Sequence, residues 1–210
     1  MIACSNSRQV VLFVDGGQLV YFEIDDVSGN LLEIQKKVLD TEVKCLDIGE
    51  VPEGRTRSKY LAVGFGDSTF KILGLDSESC LQRIGLQVLS AVPDSICFMR
   101  SGETDSLFLH VGLSNGVLVR SLIDSITGSI SDVRQQFLGT RSVKLAKITV
   151  NRNEAVIALS NRPFLSYMYM KRHQIIPLNY SSLSSVSSFT SERCVDGGLV
   201  AIADNTLRII

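Results

Sequence analysis

Between Leu107 and Asp124 the chain reads LFLHVGLSNGVLVRSLID, two short apolar runs (Leu107–Leu113 and Val117–Ile123) on either side of Ser114-Asn115-Gly116. An Asn-Gly between β-rich runs predicts a hairpin, because a primed turn needs positive φ at both central residues and these two tolerate it. The unit recurs as QVVLFVDGGQLVYFEID at Gln9–Asp25 and YLAVGFGDSTFKILGLD at Tyr60–Asp76. Weaker copies are AVIALSNRPFLSYMYM at Ala155–Met170 and LVAIADNTLRII at Leu199–Ile210. The turn residues Asp15, Asp67, Asn115, Asn161 and Asp204 are 52, 48, 46 and 43 residues apart. A period of that size means repeated supersecondary units.

Each period also carries an outer and an inner strand. Leu31–Val38, Leu81–Val88 and Ile130–Leu138 are more polar and suit an exposed edge. Val43–Ile48, Ser95–Met99 and Lys144–Val150 are inner strands that open the next unit. Between hairpin and outer strand lie Asp/Ser/Gly turns such as Asp25–Asn30 and Asp124–Gly128. No 12-residue window holds a sustained 3.6-residue apolar stripe, so no helix is predicted. About four short strands in roughly 40–50 residues is the signature of a β-propeller blade. The predicted fold is all-β, with units at 9–42, 43–90, 91–140, 141–182 and 183–210. Because the chain begins and ends inside a hairpin unit, the strand count predicts about four four-stranded blades, an incomplete arc of a seven-bladed propeller.

The totals narrow the function. With 21 Lys and Arg against 22 Asp and Glu, the net charge of −1 gives no overall electrostatic footprint for a phosphate backbone. Short basic groups at Lys36-Lys37, Arg55/Arg57/Lys59 and Lys171-Arg172 read as solvated loop faces. The five cysteines, Cys4, Cys45, Cys80, Cys97 and Cys194, are odd in number and form no CxxC, so a reducing, intracellular setting is expected. Cys45 and Cys97 fall at matching places in successive repeats and read as small buried hydrophobes. No signal-peptide layout and no apolar run of roughly 20 residues is present, so a soluble protein away from membranes is expected.

Several motifs tempt a catalytic reading. Gly112-Leu113-Ser114-Asn115-Gly116 fits GxSxG, with Asp124 and His173 following in serine-hydrolase order. That elbow needs a strand running directly into a helix. Val117-Leu118-Val119 follows instead, and Ser114 lies at a hairpin-turn position, so a hydrolase using Ser114 is only a remote alternative. His110 and His173 are the only histidines, too few for a His-rich metal site, and His110 alternates with apolar residues as a core or inter-blade group. Gly64-Phe65-Gly66 lacks the rest of a dinucleotide loop and reads as a turn, as does the acid pair Asp25-Asp26. Phe164, Tyr167, Tyr169 and Tyr180 form an aromatic stretch read mainly as blade packing. No catalytic, metal or cofactor residue is assigned, and no partner-binding residue is identified.

The ordered set RQVVLFVDGGQLVYFEID, YLAVGFGDSTFKILGLD, NGVLVRSLID, ITGSISDVRQQFLGTRSVKL, NRPFLSYMY, PLNY and DNTLRII closely resembles the splicing factor 3B subunit 3 family. That family also includes the damage-specific DNA-binding protein and the large subunit of the cleavage and polyadenylation factor. Its members carry three seven-bladed propellers, and the resemblance places this chain in the middle one. Gln18 and Ser68 stand where an acidic residue and an Asn are usual, and the loop Arg100–Ser106 is short. The resemblance implies a nuclear, non-enzymatic scaffold without cofactor. Its partners would be the other subunits of the splicing factor 3b complex and the U2 particle, with RNA contact at most indirect and no small-molecule substrate. A ubiquitin-ligase adaptor, as in the damage-specific relative, is the alternative.

Overall fold

A computed structural model describes residues 1–25, 27–52, 54–102, 104–150, 153–192 and 194–210, with backbone alone at 194–196. Asp26 and the side chain of Cys194 thus lie outside the described residues. Five antiparallel meander sheets follow one another along the chain. The first joins β1 (Ile2–Ser5), β2 (Gln9–Val14), β3 (Gln18–Ile24) and β4 (Leu31–Val38); the second joins β5 (Val43–Ile48), β6 (Tyr60–Phe65), β7 (Thr69–Gly74) and β8 (Arg83–Val88). The third holds β9 (Pro93–Arg100), β10 (Leu107–Leu113), β11 (Val117–Ile123) and β12 (Ile130–Phe137). The fourth holds β13 (Lys144–Val150), β14 (Asn153–Leu159), β15 (Pro163–Tyr169) and β16 (Arg172–Pro177). The fifth has three strands, β17 (Ser185–Ser191), β18 (Cys194–Ala203) and β19 (Thr206–Ile209).

The all-β propeller class agrees with the sequence, but the blade count does not. The structure is a five-blade propeller, which overturns the expected four blades in an incomplete arc of seven. Two strands escaped the apolar-run criterion. Ile2–Ser5 is only four residues long, yet it pairs with β2, and Ile2 and Cys4 pack on the first core cluster. Ser185–Ser191, SVSSFTS, carries just Val186 and Phe189 as apolar residues and still pairs with β18, with one irregularity between Phe189 and Ser191.

The Asn115-Gly116 tip also differs from the primed-turn expectation. Asn115 has ordinary φ and only Gly116 is positive (82°), with Gly116 N–H donating to the Leu113 carbonyl at 3.2 Å. The loop is therefore the three-residue kind, a type I turn closed by one left-handed residue. Gly17 (φ 78°) and Ser68 (φ 59°) hold the same third place in their own tips. In all three blades that residue's carbonyl accepts the N–H of the leucine just past the outer strand. Leu39 donates to Gly17 at 2.8 Å, Leu89 to Ser68 at 2.8 Å and Leu138 to Gly116 at 2.9 Å. The latch pins the exit of one blade across its own tip and directs the chain into the next.

Strand alternation explains why the hairpins look apolar on both faces. On β6, Leu61, Val63 and Phe65 join Val11, Leu19 and Tyr21 of the first blade. Tyr60 and Ala62 instead join Phe98, Leu109 and Val111 of the third. Likewise Phe108 of β10 meets Val156 of β14, while Ile157 and Leu159 of β14 join Ala201 and Ala203 of β18. A strand sandwiched between two neighbours must be apolar throughout. Each fully buried Leu, Phe or Ile contributes roughly 1.5–3 kcal/mol. The outer strands are packed far less: β4 and β12 are exposed along almost their whole length.

Candidate functional site

Polar side chains buried between blades mark the places where packing alone does not set the geometry. Between the first two blades, Gln9 Nε2 donates to Tyr21 Oη (2.7 Å) and to the Ser58 carbonyl (3.1 Å). Its Oε1 accepts the Ser58 N–H at 2.7 Å, and Tyr21 Oη donates to Glu23, which pairs with Arg57 at 2.6 Å. Along the inner strands, Asp47 of β5 accepts the Phe98 N–H of β9 at 2.7 Å, and Glu154 of β14 accepts the Arg100 N–H at 2.8 Å. Lys147 of β13 reaches Glu50 at 3.5 Å and Glu154 at 3.8 Å. Burial raises the Asp47 carboxyl to about 6 despite Lys147 and two backbone donors. These groups are ties from blade to blade.

The third and fourth blades meet at a different kind of site. His110 of β10, fully buried, bonds through Nε2 to Ser166 Oγ of β15 at 2.9 Å, and Ser166 Oγ bonds to His173 Nε2 at 2.8 Å. The hydroxyl donates to one ring and accepts from the other, while His110 Nδ1 has no partner among the described residues. Burial first, and then neighbouring positive charge, holds His110 down to about 3 and His173 down to about 4. Much of that charge comes from the cross-strand register. His110 lies opposite Arg120 of β11, and Arg120 lies opposite Arg134 of β12. Like charges directly opposite repel. Asp132, in a left-handed conformation (φ 44°) beside the β11–β12 bulge, bridges Arg120 at 3.2 Å and Arg134 at 2.9 Å. A groove of about 690 Å³ opens beside this row.

The residues of the hydrolase alternative are not brought together. Ser114 sits exposed at a hairpin tip, with its N–H on the Val92 carbonyl. Asp124 lies past the far end of β11, roughly 20 Å along the strand at ~3.3 Å per residue, and caps its own turn through Ile126 and Thr127 N–H at 2.8 Å. His173 is engaged by Ser166 in the next blade. Cys45 and Cys97 are buried on the equivalent inner strands β5 and β9, and burial pushes both thiols up to about 12. Gly64 and Phe65 belong to β6 rather than to a turn, which starts only at Gly66. The aromatic stretch divides, with Phe164 and Tyr167 packed on core clusters and Tyr169 and Tyr180 exposed. Among the described residues no group of three or more His, Cys, Asp or Glu could hold a metal ion.

Over residues 1–210 the chain matches the family described as the RSE1/DDB1/CPSF1 second beta-propeller. The chain belongs to that family. It is 43% identical over 224 aligned residues to splicing factor 3B subunit 3 of Danio rerio, covering 100% of this chain and 18% of that protein. Spliceosome-associated protein 130 A of Arabidopsis thaliana is 41% identical, over 97% of this chain and 18% of that protein. Pre-mRNA-splicing factor prp12 of Schizosaccharomyces pombe is 40% identical, over 97% of this chain and 17% of that protein. The chain thus spans under a fifth of the length of these relatives. In this RSE1/DDB1/CPSF1 propeller the His110–Ser166–His173 site went unseen in the sequence, because its members are up to 63 residues apart and on two blades. The available signal was local: a lone polar residue inside each apolar run, as His110 in LFLHVGL and Ser166 in PFLSYMY.

Proposed function

We propose that this chain is a non-enzymatic scaffold propeller of a nuclear splicing factor 3b complex, supporting branch-site recognition by the U2 particle in pre-mRNA splicing. The observation that carries this reading is the family match over residues 1–210, joined to relatives named splicing factors at 40–43% identity. The architecture supports it. Sheet hydrogen bonding consumes the backbone, and the buried polar groups are spent on blade-to-blade ties, which leaves rigid rims and outer strands as the surface offered to partners. The units 9–42, 43–90, 91–140, 141–182 and 183–210, the first joined by the strand Ile2–Ser5, are the modules that present it. Partners are the other subunits of that complex, and any RNA contact is indirect.

Affinity purification of the tagged chain from nuclear extract, with mass spectrometry, tests the reading. Recovery of splicing factor 3b subunits is expected. Recovery of a cullin in their place would establish the ubiquitin-ligase adaptor, and recovery of neither would remove the scaffold role for this segment. A fluorophosphonate probe is expected to leave Ser114 unlabelled.

A further inference from the structure

We infer that the groove between the third and fourth blades is a docking site for an acidic peptide segment carrying apolar side chains. Among the described residues, three arginines, Arg120, Arg134 and Arg172, line it with one carboxylate, Asp132. That imbalance stands out in a chain whose net charge is −1. The register concentrates it, because Arg120 and Arg134 are direct cross-strand partners whose mutual repulsion Asp132 offsets. Two guanidinium groups also carry more N–H donors than one carboxylate can accept, so further acidic groups would find donors waiting. His173 lines the same groove and is held neutral, and the Arg120 guanidinium stands over the buried Phe108 ring at 5.0 Å.

The floor decides between classes of partner. Leu122, Met168 and Ile175 supply half-buried apolar surface, which suits leucine-like side chains. Of the two rings in the lining, Phe108 is only 6% exposed and His173 is half-buried and bonded to Ser166, so neither offers an open platform for a base. Single-stranded nucleic acid is held by exposed aromatic stacking along a continuous basic track. Here the arginines gather around one groove. An acidic, leucine-bearing peptide therefore fits better than RNA.

Fluorescence anisotropy of the 210-residue chain with a short fluorescein-labelled glutamate–leucine peptide tests the inference, with an oligouridylate as the competing probe. Saturable peptide binding is expected, weakening as salt rises from about 0.01 M to about 0.15 M. Joint Arg134→Glu and Arg172→Glu, both at exposed side chains, should weaken binding on the order of tenfold, while Lys36→Glu on β4 should leave it unchanged. Should the double reversal melt early, Arg134→Gln with Arg172→Gln gives the same comparison with less repulsion. Absence of saturable binding, equal losses in the Lys36 variant, or tighter binding of oligouridylate that the groove variants abolish would each overturn the inference. The purification outcome for the splicing complex is independent of all of these.

Discussion

His110 is fully buried, its Nδ1 has no partner among the described residues and its Nε2 depends on Ser166. Ser166→Ala would strip the second nitrogen as well, leaving the ring wholly unsatisfied. A loss of about 1–3 kcal/mol of unfolding free energy is expected from urea denaturation. Ser114→Ala, at an exposed turn, should stay within about 0.5 kcal/mol of wild type. The same site makes stability depend on pH. An unfolded histidine titrates near 6.5, whereas folded His173 titrates near 4 and His110 near 3. Between those values the unfolded chain binds more protons, so the stability these groups contribute is complete above about 6.5 and is lost as pH falls toward 4 and 3. Asp47 acts oppositely. Its carboxyl is raised from 3.8 to about 6, so acidification over that interval relieves a cost of burial. Comparing wild type with His173→Asn isolates the histidine part. The wild-type urea midpoint should fall relative to the variant's between pH 6.5 and 4, and parallel curves would refute the assignment.

At the scale of strands and turns, close backbone approach sets the limits. A Cβ on Gly112 of β10 would overlap the Val143 carbonyl, which the main chain holds in place. Gly112→Ala is expected to cost about 1–3 kcal/mol, as overpacked sites do. At Gly66 the nearest atom to an added Cβ is the flexible Lys44 Cε at 3.5 Å, so Gly66→Ala should be neutral or slightly stabilising. Thermal melts of the two variants give the comparison. Most strands were legible because sandwiched hairpins such as YLAVGF and LFLHVGL must be apolar on both faces. Outer strands were legible from polarity joined to spacing. The loop type at Asn115-Gly116 was not, since a three-residue loop and a primed turn draw on the same residues; what separates them is the φ of Asn115, which is ordinary here while Gly116 is positive.

Across the whole molecule the blades form a chain of neighbours, with core clusters joining first to second, second to third, third to fourth and fourth to fifth. Repeat proteins of this kind distribute stability along the array. Amide hydrogen exchange should accordingly be slowest in β6, buried at every residue, and in β10. It should be fastest in β17 and β19, where half-buried or exposed side chains supply little packing. Uniform protection across the five sheets would contradict that gradient.

What the sequence determined by itself was the repeat: hairpins recurring every 43–52 residues, their two-faced apolarity, and hence a propeller of meander blades. Those are local properties, fixed by strand alternation and turn chemistry. The number of blades was decided by tertiary structure, because a four-residue strand and a serine-rich one are held by the ladders they join and by Ile2, Cys4 and Val186 packing on the core clusters. The His110–Ser166–His173 site and the basic groove were likewise decided by packing. They arise where two blades meet, and the distances that make them (2.9 and 2.8 Å) exist only once long-range register is set.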